Sequence, residues 1–148
     1  MSVDFEEYQN RLMAEMKKTY SDTVIDHALN PRNMGNLLDA DGESQITGPC
    51  GDTMQIWLKV KNSKIISAAF ATDGCVTTRA CGSIITEIVK DKEISQALGV
   101  TQEIILENLG GLPENDQHCA LLAVNTLNAA VKDYLALKRE PWKKAYRK

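Results

Sequence analysis

Gly48-Pro49-Cys50-Gly51-Asp52-Thr53-Met54-Gln55-Ile56-Trp57-Leu58-Lys59-Val60 passes from a tight turn into a strand. The turn presents a thiol and a carboxylate two residues apart. From Thr53 onward, Ile56, Leu58 and Val60 alternate with Trp57, Lys59 and Lys61, the period of two of a half-buried strand. Asn62-Ser63-Lys64 is turn chemistry. Residues 65–72 alternate again, with Ile66, Ala68 and Phe70 on one face, so the segment is a hairpin. A third strand near residues 44–47 pairs at its edge. The expected fold class is α+β: a small three-stranded antiparallel sheet packed with helices.

Working outward, the period becomes helical after Asp73-Gly74. Cys81, Ile84, Ile85, Ile88 and Val89 fall on one stripe. A short helix over 95–98 and another over 101–109 follow, the latter opened by Thr101 and closed by Gly110-Gly111. Ala120, Val124, Leu127, Val131 and Tyr134 give the core face of a last helix, with Asp116 as its expected N-cap. On the other side, residues 3–29 read as helical, with Phe5, Tyr8, Leu12, Met16 and Tyr20 at amphipathic spacing. A break near Thr19-Tyr20 allows Ser21 or Asp22 to cap a second helix. Pro31 stops it by disfavouring a helical Asn30. Residues 34–45 read as a loop. Residues 1–148 form one domain, with a helical extension over 1–19 and a basic tail over 136–148 that contains Lys138, Arg139, Lys143, Lys144, Arg147 and Lys148 beside Trp142 and Tyr146. The tail is read first as a solvated chain end, and alternatively as a docking segment for an acidic partner.

The 148 residues suit one core. The net charge of −3 and the pI near 5.4 argue against a nucleic-acid partner, which needs a basic face. Residues 1–10 are too acidic and polar for a signal peptide. No apolar run reaches the roughly 20 residues that cross a bilayer, so no membrane partner is expected. The expected location is cytoplasmic. In that compartment, four cysteines point to metal or thiol chemistry rather than to disulfides.

Cys75 and Cys119 each sit in the first turn of an expected helix, where the dipole favours a thiolate. Cys50 lies in a glycine turn, where amides can point at sulfur. Three thiolates are one short of the four protein ligands a [2Fe–2S] cluster usually takes. Asp52 or His118 can supply the fourth, and zinc accepts the same set. Cys81, on the apolar stripe, reads as a buried structural thiol, with an auxiliary sulfur-handling role as the alternative. His27 reads as a packing residue. Arg79, one helical turn past Cys75, reads equally as a support for its thiolate or as a solvated side chain.

Tyr20-Ser21-Asp22, Val24-Ile25-Asp26-His27, Asn30-Pro31-Arg32-Asn33-Met34-Gly35, Pro49-Cys50-Gly51-Asp52, Gly74-Cys75, Thr86-Glu87 and His118-Cys119 occur in the order found in one family. In these segments the chain resembles the IscU/NifU-type iron–sulfur cluster assembly scaffolds. The resemblance implies a site where Cys50, Cys75 and Cys119 accept sulfur and iron, with Asp52 and His118 close by. It implies sulfur delivered as persulfide by a pyridoxal-phosphate cysteine desulfurase, with Cys119 as acceptor. A transient [2Fe–2S] cluster, kept labile by Asp52, would pass to apo iron–sulfur proteins without turnover by the scaffold itself. The alternative is a zinc-binding or persulfide-carrying protein of the same fold. A homo-oligomer stays open.

Two departures stand out. Where the family usually runs Gly-Ser-Ala-Ile-Ala-Ser-Ser-Ser after the second cysteine, this chain has Val76-Thr77-Thr78-Arg79-Ala80-Cys81-Gly82-Ser83. This marks a divergent paralogue. Where the family often has Leu-Pro-Pro-Val-Lys, recognised by an Hsp70-type chaperone, this chain has Leu112-Pro113-Glu114-Asn115-Asp116, which counts against that partner.

Overall fold

The hairpin forms as the alternation predicts. β1 (Gly42–Thr47), β2 (Thr53–Lys61) and β3 (Lys64–Thr72) make one antiparallel sheet in the order β1-β2-β3. The computed structural model describes residues 2–142. Asn62 and Ser63, both at positive φ, form the two-residue turn between β2 and β3, so Lys64 already belongs to the strand.

Ile56 and Leu58 are buried, as expected, and Met54 joins them, but Val60 is only half-buried and β3 departs from the expected face. The register runs Lys59↔Ser67 and then Val60↔Ile65, which leaves Ile66 as an extra residue. Such a bulge reverses the alternation on its strand. Ile65, not Ile66, therefore joins Ala68 and Phe70 in the core, while Ile66 is exposed.

The loop expected over 34–45 is shorter than that. Its last residues open β1, and its first pair with β3. Phe70 N–H donates to the Asn33 carbonyl at 3.0 Å, and Gly35 N–H donates to the Phe70 carbonyl at 2.8 Å. Met34 thus bridges β3 in parallel, covering the sheet edge for one residue.

The N-terminal helical stretch is two helices, α1 (Ser2–Thr19) and α2 (Asp22–Leu29). Ser21 is the cap: its Oγ accepts from Val24 N–H and donates to the Leu109 carbonyl. α1 is helical but its apolar stripe is not core, since Phe5, Tyr8 and Leu12 are exposed. Pro31 ends α2 as read, and α2 packs on α3 (Val76–Val89). There His27 Nδ1 lies 2.7 Å from Ser83 Oγ, which also accepts from Arg32 N–H.

α3 lies against β3 with Gly82 beneath the Phe70 ring, so closely that a Cβ there would overlap it. α4 (Ile94–Ala97) and α5 (Gln102–Leu109) close one side. α6 (His118–Arg139) crosses the sheet with Ala120, Val124, Leu127 and Val131 buried, as its stripe predicts. Asp116 is not its cap. It lies in a 3-10 turn (Glu114–Asp116) that runs through a helical Gln117 into α6 without a side-chain cap. Lys138 and Arg139 belong to α6, while Lys143, Lys144, Tyr146, Arg147 and Lys148 lie outside the described residues. Among the described residues no helix is long and apolar enough to cross a membrane.

Antiparallel pairing fixes where the cysteines can go. Thr47 pairs with Thr53 and Met54 with Thr72, so the β1–β2 loop and the β3–α3 turn share one end of the sheet. Cys50 sits in the first and Cys75 in the second. The start of α6 reaches the same end.

Candidate functional site

The β1–β2 loop is pinned at both ends. Gly48 N–H donates to the Asp52 carbonyl at 2.8 Å, and Thr53 N–H donates to Asp73 Oδ1 at 2.9 Å. Thr72 Oγ1 donates to the Thr53 carbonyl at 2.6 Å and accepts from Gly74 N–H at 3.0 Å. These bonds tie the Cys50 loop to the turn that carries Cys75.

Side-chain contacts then link the three thiols, Asp52 and His118. His118 Nε2 lies 3.1 Å from Cys50 Sγ and 3.7 Å from Cys119 Sγ. Thr77 Oγ1 lies 3.5 Å from Cys75 Sγ and 3.3 Å from Cys119 Sγ. Thr78 Oγ1 lies 2.7 Å from Asp52 Oδ2 and 3.3 Å from Cys119 Sγ. Cys119 is the centre of this network. Among the described residues, no three His, Cys, Asp or Glu side chains are set to hold one metal ion. The Thr78 hydroxyl stands between the Cys119 sulfur and the Asp52 carboxylate, and the Thr77 hydroxyl between the Cys75 and Cys119 sulfurs.

Sequence reasoning missed those hydroxyls. Thr77 and Thr78 are the second and third residues after Cys75, the N-cap of α3, so the first helical turn carries them to the thiols. That spacing was the available signal. The Tyr20 phenol is pushed up by burial first and then by the charges of Asp116, Cys75 and Cys119.

The two helix-terminal thiols differ in electrostatics. At Cys75, partial burial acts to raise the thiol. Hydrogen bonds from the Thr77 hydroxyl and the Thr77 and Thr78 backbone outweigh it, and the thiol is held below its ordinary value. Cys119 goes the other way: burial pushes it up, and the Thr77 and Thr78 hydroxyls offset only part of this. The expectation that both thiols ionise easily therefore holds for Cys75 and fails for Cys119, which is 2% exposed. Arg79 is exposed and is not among the groups that act on Cys75. Cys81 is fully buried, and desolvation pushes its thiol well up, as suits a structural position. His27 is buried against Ser83, a packing residue as read.

The donor set fits soft-metal chemistry: thiolates favour iron–sulfur clusters and zinc, and a carboxylate or imidazole completes four ligands.

The chain is similar to known proteins over most of its length. The family model of the NifU-like N-terminal domain matches residues 19–141. The iron–sulfur cluster assembly scaffold protein IscU 1 of Archaeoglobus fulgidus is 46% identical over 116 residues, 78% of this chain and 76% of that protein. IscU of Aquifex aeolicus, also named an iron–sulfur cluster assembly scaffold protein, is 46% identical over 123 residues, 81% of this chain and 78% of that one. Among solved structures, the N-terminal part of a nitrogen-fixing NifU-like protein from Brucella abortus superposes with a TM-score of 0.63 at 16% identity, covering 78% of this chain and 94% of that one. The family-model match over residues 19–141, with relatives at 46% identity over most of the chain, makes this chain a member of the NifU-like N-terminal domain family.

Proposed function

We propose that the chain is a scaffold on which an iron–sulfur cluster is assembled and from which it is passed on. The observation that carries this is the network joining Cys50, Cys75 and Cys119 to Asp52 and His118 at one end of the sheet. Here the cluster is cargo, and the protein has no turnover of its own.

In this reading the sulfur donor is a pyridoxal-phosphate cysteine desulfurase, the product is a transient [2Fe–2S] cluster, and the recipients are apo iron–sulfur proteins. Cys119 is the persulfide acceptor because it alone contacts Thr77, Thr78 and His118. Its burial means that the site has to open before a donor reaches it. Asp52 supplies a carboxylate ligand that binds iron less tenaciously than a thiolate and keeps the cluster labile. Asp116 stands where the chaperone-recognised lysine is expected, which argues against an Hsp70-type partner.

The test is anaerobic reconstitution with cysteine, a desulfurase and ferrous iron, read by optical spectra. The wild type gains [2Fe–2S] absorption, and Cys50→Ser, Cys75→Ser and Cys119→Ser each lose it. Full loading in all three variants would reject the site. One tightly held zinc with no cluster, or a persulfide alone by mass spectrometry, would instead establish a zinc-binding or sulfur-carrying protein. Asp52→Ala should give a longer-lived cluster that transfers poorly.

A further inference from the structure

We infer that Thr78 is a latch on this site: in the cargo-free protein its hydroxyl, set between Asp52 and Cys119, holds the Asp52 carboxylate, and it has to let Asp52 go before that carboxylate can bind metal. The inference rests on the scaffold reading, in which Asp52 is a ligand, and it assigns a positioning role to a residue outside the ligand set.

Thr78 is fully buried in the first turn of α3. Its side chain packs over Gly74, where an added Cβ would lie 2.6 Å from the Thr78 Cβ and 2.9 Å from its Oγ1. The residue before Cys75 therefore has to be glycine for Thr78 to keep its place. This close approach aims the hydroxyl between two elements, Asp52 from the β1–β2 loop at 2.7 Å and Cys119 from α6 at 3.3 Å. A hydroxyl has one hydrogen to donate, and the shorter contact is to the carboxylate. With that bond made, the donors surround the hydroxyl rather than converging, and no three of them are set for a metal. Turning the hydroxyl toward the sulfur releases Asp52. Thr77, which touches Cys75 and Cys119 but not Asp52, cannot do this.

The latch should make the site slower to complete and quicker to give up its fourth ligand.

The test titrates the metal-free, full-length protein with cobalt(II) under anaerobic conditions and follows thiolate-to-cobalt charge-transfer absorption. Thr78→Val, which keeps the shape and loses the hydroxyl, should bind cobalt about tenfold more tightly, because a hydrogen bond to a charged group no longer has to be broken. Thr78→Ser should behave as wild type. In an Asp52→Ala background, Thr78→Val should change nothing. Thr78→Ala serves as a second hydroxyl-free variant should valine disturb folding. Unchanged or weaker binding in the hydroxyl-free variants would overturn the latch, as would tightening that persists without Asp52. Absence of any cobalt–thiolate band in the wild type would instead overturn the scaffold site, and the latch with it.

Discussion

Cys75 caps α3 and Cys119 is the second residue of α6, so both lie where a helix dipole favours a thiolate. Only Cys75 gains from this, since it is exposed and receives hydrogen bonds, while burial dominates at Cys119. In the metal-free protein, iodoacetamide should therefore modify Cys75 at least about tenfold faster than Cys119. Peptide mass spectrometry over time checks this, and equal rates would contradict the electrostatic assignment. The helix-terminal position was legible in the sequence. The burial was not, because it depends on how α6 meets α3 and the sheet. His27 gives a second prediction. Burial lowers its imidazole below the ordinary value, aided by the Arg32 charge, so the unfolded chain binds the proton more readily than the native one. The resulting stability is full above the unfolded value of about 6.5 and is lost as pH falls below it. Urea midpoints should fall between pH 7 and pH 5, and less steeply in His27→Gln. Identical slopes would refute a buried neutral His27.

At the scale of elements, α3 and β3 approach closely because Gly82 has no side chain where the Phe70 ring sits. Gly82→Ala should cost about 1–3 kcal/mol through overpacking, although alanine is the better helix former. Chemical denaturation measures it, and a stabilised variant would show that the ring moves freely. The hairpin, α2, α3 and α6 were legible from period, turn residues and Ser21. The bulge at Ile66 was not, because an extra residue shows only in the register with the partner strand. The Met34 bridge was hidden for the same reason: its hydrogen bonds go to Phe70, far along the chain. The stripe of α1 misled in another way. Its spacing forms a helix, but nothing among the described residues covers Phe5 or Tyr8.

For the whole molecule, the family match begins at residue 19, where α1 ends. Each cysteine was placed in its turn or helix start by sequence alone. Their convergence follows from antiparallel pairing, which brings both loops to one end, and from the path of α6 across the sheet. The resemblance anticipated that site, whereas the threonine hydroxyls inside it appeared only with the side chains in place. The central claim is that a cluster built here moves on. The direct measurement is to reconstitute the cluster anaerobically, mix the loaded protein with an apo-ferredoxin, separate the two and record Mössbauer and optical spectra of each. The scaffold account predicts a [2Fe–2S] signal that leaves this chain and appears in the ferredoxin. A cluster that stays bound, or a protein that holds only zinc, would contradict it.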